Sequence, residues 1–444
     1  MNRSRLIRTA LVEPSTSPTP RHPVEWSDAY LASLRAIAAE EVEGLSELDR
    51  DLAPCLLACS AGQFSVAEQT LLSVFEKVTD EQIFDGENFI SLLNCSFTCQ
   101  RLDLVKTLLV DRYGFHRDIE LRFENESLQA GVIGWEITNN QDHVFTFQTS
   151  ALQTDASRIV ILGLNWQFPM FSEYSRRDNQ SSGKIIFNHF DIGLQPGLSY
   201  CDNRPDYYLI PDCLYIATAG YRDARRIYAE RALPWHQRAD RAFWRGSTTG
   251  RPREDRNWRT IPRVELAEFA KRNASMGLFD VALSSVAQIE DPVQVAEIRS
   301  SGLVAGGVPW EDWGQFKYQI DVDGNTNAWS GLFYRLLTGS TVLKIDSPDG
   351  YQQWYYDRLS PWRNYVPVSP NLTDVIDKLK WLRANDDFAE RIGKAGRELA
   401  LSMTYESELD YACSVISRAF GYAAGKSAQT FPFGWVIDPP TSRA

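Results

Sequence analysis

The chain has 444 residues, 43% of them apolar and 23% charged, with 46 Lys+Arg against 58 Asp+Glu and a formal net charge of −12. That composition suits about two or three globular domains with proper cores. The acidic balance argues against a nucleic-acid binder, and with no run of about 18 apolar residues no transmembrane helix is expected.

Residues 1–24 hold Arg3, Arg5 and Arg8 and then a Ser/Thr/Pro-rich run, which reads as a disordered leader. Its apolar stretch ends at Glu13 and Pro14, short of the about 7–15 residues of a secretory signal core. A cytoplasmic location is therefore expected, at most peripheral to the inner face of a membrane. Seven Cys in a chain of this length suit buried thiols better than a disulfide framework.

From Ala29 to Tyr113 the pattern is helical, and two related lines recur, CLLACSAGQFSVAEQTLLSVF from Cys55 and SLLNCSFTCQRLDLVKTLLV from Ser91. A spacing of about 36 residues is the length of one helix–turn–helix repeat, so 25–115 reads as a small repeat-like docking domain with a protein partner. Cys55, Cys59, Cys95 and Cys99 fall here. Thiolates one helical turn apart can share a zinc ion, but the usual two-residue knuckle spacing is missing. Small thiols filling the face between paired helices are the expectation, and no metal is assigned.

Between Arg117 and Gln195 the period changes. LRFENES, GVIGWEI and HVFTFQT alternate as strands do; RIVILGLNWQFPMF and KIIFNHFDIG follow, the latter a short buried run ending in a polar turn. After a charged helical stretch from Asp223 to Arg238, strands (AFWRGSTTG, FDVALSS, FKYQIDVDG, STVLKID, NYVPVS) alternate with helical stretches (IPRVELAEFAKRN, a segment through Leu337, LTDVIDKLKWLRAN). Such alternation predicts parallel βαβ units with a ligand cleft at the carboxyl ends of the strands.

Two loops carry candidate chemistry. Arg245, Gly246, Ser247, Thr248, Thr249 and Gly250 follow a strand and precede a helix, with Arg251, Arg253, Arg256, Arg259 and Arg263 close behind. Backbone amides, a helix N-terminus and guanidinium groups together suit a phosphate, although the loop matches neither common nucleotide-binding glycine motif. The second loop runs through Asp321, Asp323, Gly324 and Asn325 to Ser330 and a helix with Arg335. Two carboxylates two apart on a strand could hold a divalent cation, and Tyr351, Trp354, Tyr355, Tyr356 and Trp362 beyond them serve either a ring-stacking site or a core.

Taken in order, SYCDNRPDYYLIPD, FWRGSTTG, NWRTIPRVEL, KYQIDVDGNTNAWSGLFYRLLTGSTVLK and YYDRLSPWRNYVPV resemble glycosyltransferase family 90, over about Ala151 to Ala400. The resemblance implies an α/β fold of the GT-B type. Two Rossmann-like domains would face a cleft, an acceptor-side domain at 116–235 and a UDP-sugar-binding domain at 236–425, with a tail at 426–444. It also implies a UDP-sugar donor, no cofactor and no metal, and inversion at the sugar. Arg245, Gly246, Ser247, Thr248, Arg263, Asn325, Ser330 and Arg335 would then hold the donor, and Asp323 would be structural.

An inverting transfer needs a base for the acceptor hydroxyl. The resemblance implies by position that this base is Asp155 in ALQTDASRIV, which also fits a helix N-cap, with Asp191 in FNHFDIG as the rival; His189 beside it reads as a packed loop residue. Asp206 and Asp212 flank the YYLIP segment as acceptor-side candidates. The expected reaction is transfer to a hydroxyl of a glycan or glycolipid of the lipopolysaccharide or capsule kind. A protein O-glycosyltransferase and a non-catalytic nucleotide-sugar-binding module are the alternatives.

Overall fold

The structure is a computed structural model, and it describes residues 28–39, 42, 46–124, 128–129, 132–148, 156–178, 180–254 and 257–423. Helices dominate up to Tyr113, where Asp28–Ala38, Glu47–Ser60, Phe64–Lys77, Asp80–Phe84, Gly86–Thr98 and Leu102–Tyr113 follow one another. Their starts are set by local chemistry. Ser46 accepts from the Asp49 amide, Thr79 and Gln82 cap each other reciprocally, and Asp85 accepts from the Glu87 amide. The two related sequence lines fold alike, each as a helix, a tight turn and a second helix. The turns place Gly62 at φ 71° and Gln100 at φ 59°.

Thirteen strands follow among the described residues: β1 (Ile119–Glu124), β2 (Val132–Ile137), β3 (His143–Gln148), β4 (Gly183–Asn188), β5 (Gly197–Ser199), β6 (Cys201–Asp202), β7 (Tyr207–Leu209), β8 (Ala239–Ser247), β9 (Phe279–Ser285), β10 (Phe316–Asp321), β11 (Thr341–Ile345), β12 (Gln352–Gln353) and β13 (Val366–Val368). The first sheet has the order β1-β3-β2-β4-β5-β7 and is mixed, since β2 runs antiparallel to both β3 and β4. The cause lies in the short connection from β2 to β3. The Gln141 amide donates to the Thr138 carbonyl at 2.9 Å, and a turn that tight joins only antiparallel neighbours. RIVILGLNWQFPMF lies inside a long helix, Ala156–Arg177, that carries Pro169 in its interior.

The second sheet is wholly parallel, with the order β13-β11-β10-β8-β9. Pro262–Arg272 carries the chain from β8 out to β9, and Pro292–Ser300 lies on the return across β8 to β10. The direction of build-up therefore reverses between β8 and β10, the kind of switch point at which open α/β sheets bind ligands. One core surrounds this sheet. A second core joins the N-terminal helices, the first sheet and the C-terminal helix Tyr405–Ala423, so the helical segment shares its interior with β1–β4. Among the described residues no helix is long and apolar enough to cross a membrane.

Candidate functional site

The carboxyl ends of β8 and β10 lie side by side, because Phe243 and Gln319 are paired in the parallel ladder. Each strand runs into a small-residue loop, Thr248–Gly250 from β8, whose last residues Arg245–Ser247 still pair with β9, and Val322–Ala328 from β10. The first loop is held from below. The Thr248 hydroxyl donates to the Ala287 carbonyl at 2.7 Å and accepts from the Ala287 amide at 2.8 Å, which ties the loop to the segment after β9. Gly246 lies flat on the Trp244 indole, where an added Cβ would come within 2.6 Å of Cζ2.

Arg263, near the start of the helix Pro262–Arg272, joins the two loops. Its Nε donates to the Asp323 carbonyl at 3.1 Å and its Nη1 to the Thr249 hydroxyl. Gly324 makes room for it, since a Cβ there would meet Nη2 at 3.0 Å. Among the described residues Arg263 makes no ion pair. Burial, and after it the neighbouring Arg335 cation, pushes its pKa down to about 10, so it remains charged at neutral pH and faces Asp321, Asp323 and Asp191 only at longer range. A half-buried guanidinium bonded to neutral oxygens is a strong anion-binding element.

The other two candidate arginines are engaged elsewhere. Arg245 donates from Nη2 to Asp280 Oδ1 at 2.5 Å and from Nη1 to the Asp280 and Trp244 carbonyls, which draws it toward β9. Arg335 is buried, its guanidinium 4.6 Å from the Trp313 ring centroid and its Nη1 3.6 Å from Asp321 Oδ1. Lys344 on β11 approaches Asp321 Oδ2 at 3.7 Å, so two cations flank that carboxylate where it lies fully buried. Burial pushes the pKa of Asp323 up to about 6, with Lys344 and Ser347 opposing the shift. Ser330 opens the helix Ser330–Leu337 just after Trp329, which sits at φ 49°. A shallow groove, with a cavity volume of about 20 Å³, lies along this end of the sheet, lined by Val322, Asp323, Ile345, Asp346 and Leu372 among others.

The first sheet reaches the same place through the loop after β4. Asn325 Nδ2 donates to Asp191 Oδ2 at 2.8 Å and the Thr326 hydroxyl donates to the Asp191 carbonyl at 3.0 Å. A second bridge is the antiparallel pair β6–β12, with Asn203 Nδ2 donating to the Asp349 carbonyl at 2.7 Å. Asp191 is thus the acidic candidate brought to the loops of the parallel sheet. Asp155 lies outside the described residues. His189 is buried against Gly163 of the long helix, its ring nitrogens without a hydrogen bond among the described residues and its pKa pushed down to about 4 by burial.

Asp212 caps the helix Cys213–Ala217, accepting from the Tyr215 amide at 2.8 Å and the Tyr221 hydroxyl at 2.7 Å, and burial raises its pKa to about 6. Asp206 is exposed. Trp354 and Tyr355 are buried in the core, Trp354 donating to Glu408 Oε2 at 2.9 Å. Sequence reasoning passed over Thr249 as the oxygen that Arg263 grips, Asp280 as the partner of Arg245, and Lys344. Only Lys344 left a signal, a charge inside the otherwise apolar run TVLKI.

A model of one protein family, glycosyl transferase family 90, matches residues 222–423. Human protein O-glucosyltransferase 3 is 30% identical over 212 residues, 46% of this chain and 38% of its own length. Protein O-glucosyltransferase 2 of Danio rerio is 29% identical over the same number of residues, again 46% and 38% of the two chains. Mouse protein O-glucosyltransferase 3 is 29% identical over 301 residues, 63% of this chain and 53% of its own. The chain therefore spans between 38% and 53% of the length of these curated relatives. The family match takes in both loops and Arg263.

Proposed function

We propose, from the premise that residues 222–423 are a glycosyl transferase family 90 domain, that this protein moves a sugar from a UDP-sugar to the hydroxyl of an acceptor, with inversion and without a metal. The observation that supports this most is Arg263, charged, without an ion pair among the described residues, and set between two loops at the switch point of a parallel sheet. A departing diphosphate concentrates negative charge as the glycosidic bond breaks, and preorganised guanidinium and amide donors stabilise that charge. In this reading Arg263 is the main cation on the diphosphate. Gly246, Ser247 and Thr248 present backbone around it, Asn325 and Ser330 lie on the opposite lip, and Arg245 and Arg335 supply field from their ion pairs. The two sheets then act as the halves of a GT-B cleft.

The acceptor we assign is a protein hydroxyl, a Ser or Thr side chain. The names of the relatives support it over the glycan or glycolipid expected from sequence. Asp191 and Asp155 are the two candidate bases that would take the acceptor proton as the sugar passes through a cationic state.

The test is transfer from a panel of UDP-sugars to folded protein targets in EDTA, read by mass spectrometry of Ser- and Thr-containing peptides. A sugar mass on such a peptide, lost on Arg263→Ala, is the expected result. Transfer to a lipid-linked glycan alone would reassign the acceptor, and loss in EDTA restored by manganese would return Asp321 and Asp323 to metal ligation. Asp191→Asn and Asp155→Asn separate the bases, since only the true one abolishes transfer while UDP affinity stays near wild type.

A further inference from the structure

Away from the sheet ends, four sulfur atoms converge inside the helical segment. Cys55 and Cys59 stand one turn apart on Glu47–Ser60; Cys95 lies on Gly86–Thr98 and Cys99 is that helix's C-cap. Cys55 Sγ is 3.0 Å from Cys95 Sγ and 3.2 Å from Cys99 Sγ, and Cys59 Sγ is 3.2 Å from Cys99 Sγ. The sulfurs of Cys55, Cys59 and Cys99 all lie within 4.8 Å of one another. All four residues are fully buried. The two C-x-x-x-C lines, taken singly, look like core thiols; the fold sets them face to face.

We propose that Cys55, Cys59, Cys95 and Cys99 form a structural site for one thiophilic divalent cation, zinc, which staples Glu47–Ser60 to Gly86–Thr98. Zinc binds thiolates tetrahedrally at about 2.3 Å, which sets sulfur–sulfur separations of about 3.8 Å. The three contacts open to that value by roughly 0.6–0.8 Å each, and Cys95 Sγ, which touches Cys55 but lies outside the trio that shares the 4.8 Å limit, moves inward to complete the tetrahedron. The compactness also selects the ligand. An iron–sulfur cluster spaces its thiolates apart by the width of the cluster, whereas three sulfurs within 4.8 Å of one another, with Cys95 Sγ touching the trio through Cys55, suit a single ion. A dication is the group that stabilises several thiolates at one point.

The experiment uses the full chain purified without chelators. Elemental analysis is expected to give about one zinc per chain. Exchange for cobalt(II) is expected to give the thiolate charge-transfer and strong visible bands of a tetrahedral site. The double substitution Cys59→Ser/Cys99→Ser is expected to lower bound zinc at least tenfold, while Cys413→Ser, outside the cluster, leaves it unchanged. Absence of both stoichiometric zinc and the cobalt bands in the wild-type chain overturns the proposal whether or not the double variant folds. So does an intact mass, under non-reducing alkylation, that shows these four sulfurs joined as disulfides. Neither readout depends on sugar transfer, so this site and the proposed activity stand or fall separately.

Discussion

At the scale of single residues, Arg263 is the cation of the anion site and Asp323 the buried acid whose carbonyl it grips, and each yields a separate prediction. A charge-assisted hydrogen bond is worth about 1.5–3 kcal/mol. Arg263→Ala should therefore weaken UDP binding by roughly ten- to a hundredfold in isothermal titration. Unchanged affinity would remove Arg263 from the diphosphate. Asp323 is raised to about 6 by burial, so the folded state holds its proton more tightly than the unfolded chain does. The stability this contributes is fully present below the ordinary carboxyl range and is lost as pH rises through about 6. Asp323→Asn mimics the protonated acid at every pH. It should be more stable than wild type in urea at pH 8, by on the order of 2–3 kcal/mol, with the difference gone by about pH 4. An equal difference at both pH values would contradict the assignment.

Elements decide where those residues stand, and here close backbone approaches matter more than side-chain chemistry. Asp386–Ser402 packs against the start of β11 through Gly393, whose added Cβ would fall 2.4 Å from the Gly339 carbonyl oxygen and 3.0 Å from the Ser340 carbonyl carbon. Gly393→Ala must push the helix off the sheet and should cost about 1–3 kcal/mol, read as a lower urea midpoint. A midpoint equal to wild type would show that the helix is not seated there. The elements themselves were largely legible. FDVALSS is β9 and IPRVELAEFAKRN holds Pro262–Arg272, because β-branched runs and amphipathic spacing act locally. What periodicity does not carry is the contact made across the chain. Nothing in FWRGSTTG says that Trp244 folds beneath Gly246, and nothing in the two cysteine lines says that they meet. RIVILGLNWQFPMF, apolar nearly throughout, has no clear period to separate a buried strand from the buried helix it forms.

For the whole molecule, the site exists because two sheets present loops to each other. Asn325 and Asp191 are 134 positions apart and bond at 2.8 Å, a proximity that ordered motifs suggested through a family resemblance and that the residues alone did not. A local cause, by contrast, makes the first sheet mixed where two Rossmann-like halves were expected. A tight β2–β3 turn fixes antiparallel pairing there, while the sheet of β8–β11 and β13 keeps crossover helices and stays parallel. Both loops meet at one place, the paired carboxyl ends of β8 and β10. The most direct test is a crystal structure of the chain soaked with UDP. The diphosphate should lie within hydrogen-bond distance of the Arg263 guanidinium and against the backbone of residues 246–249. A diphosphate bound elsewhere, with that loop and Arg263 untouched at saturating UDP, would contradict it.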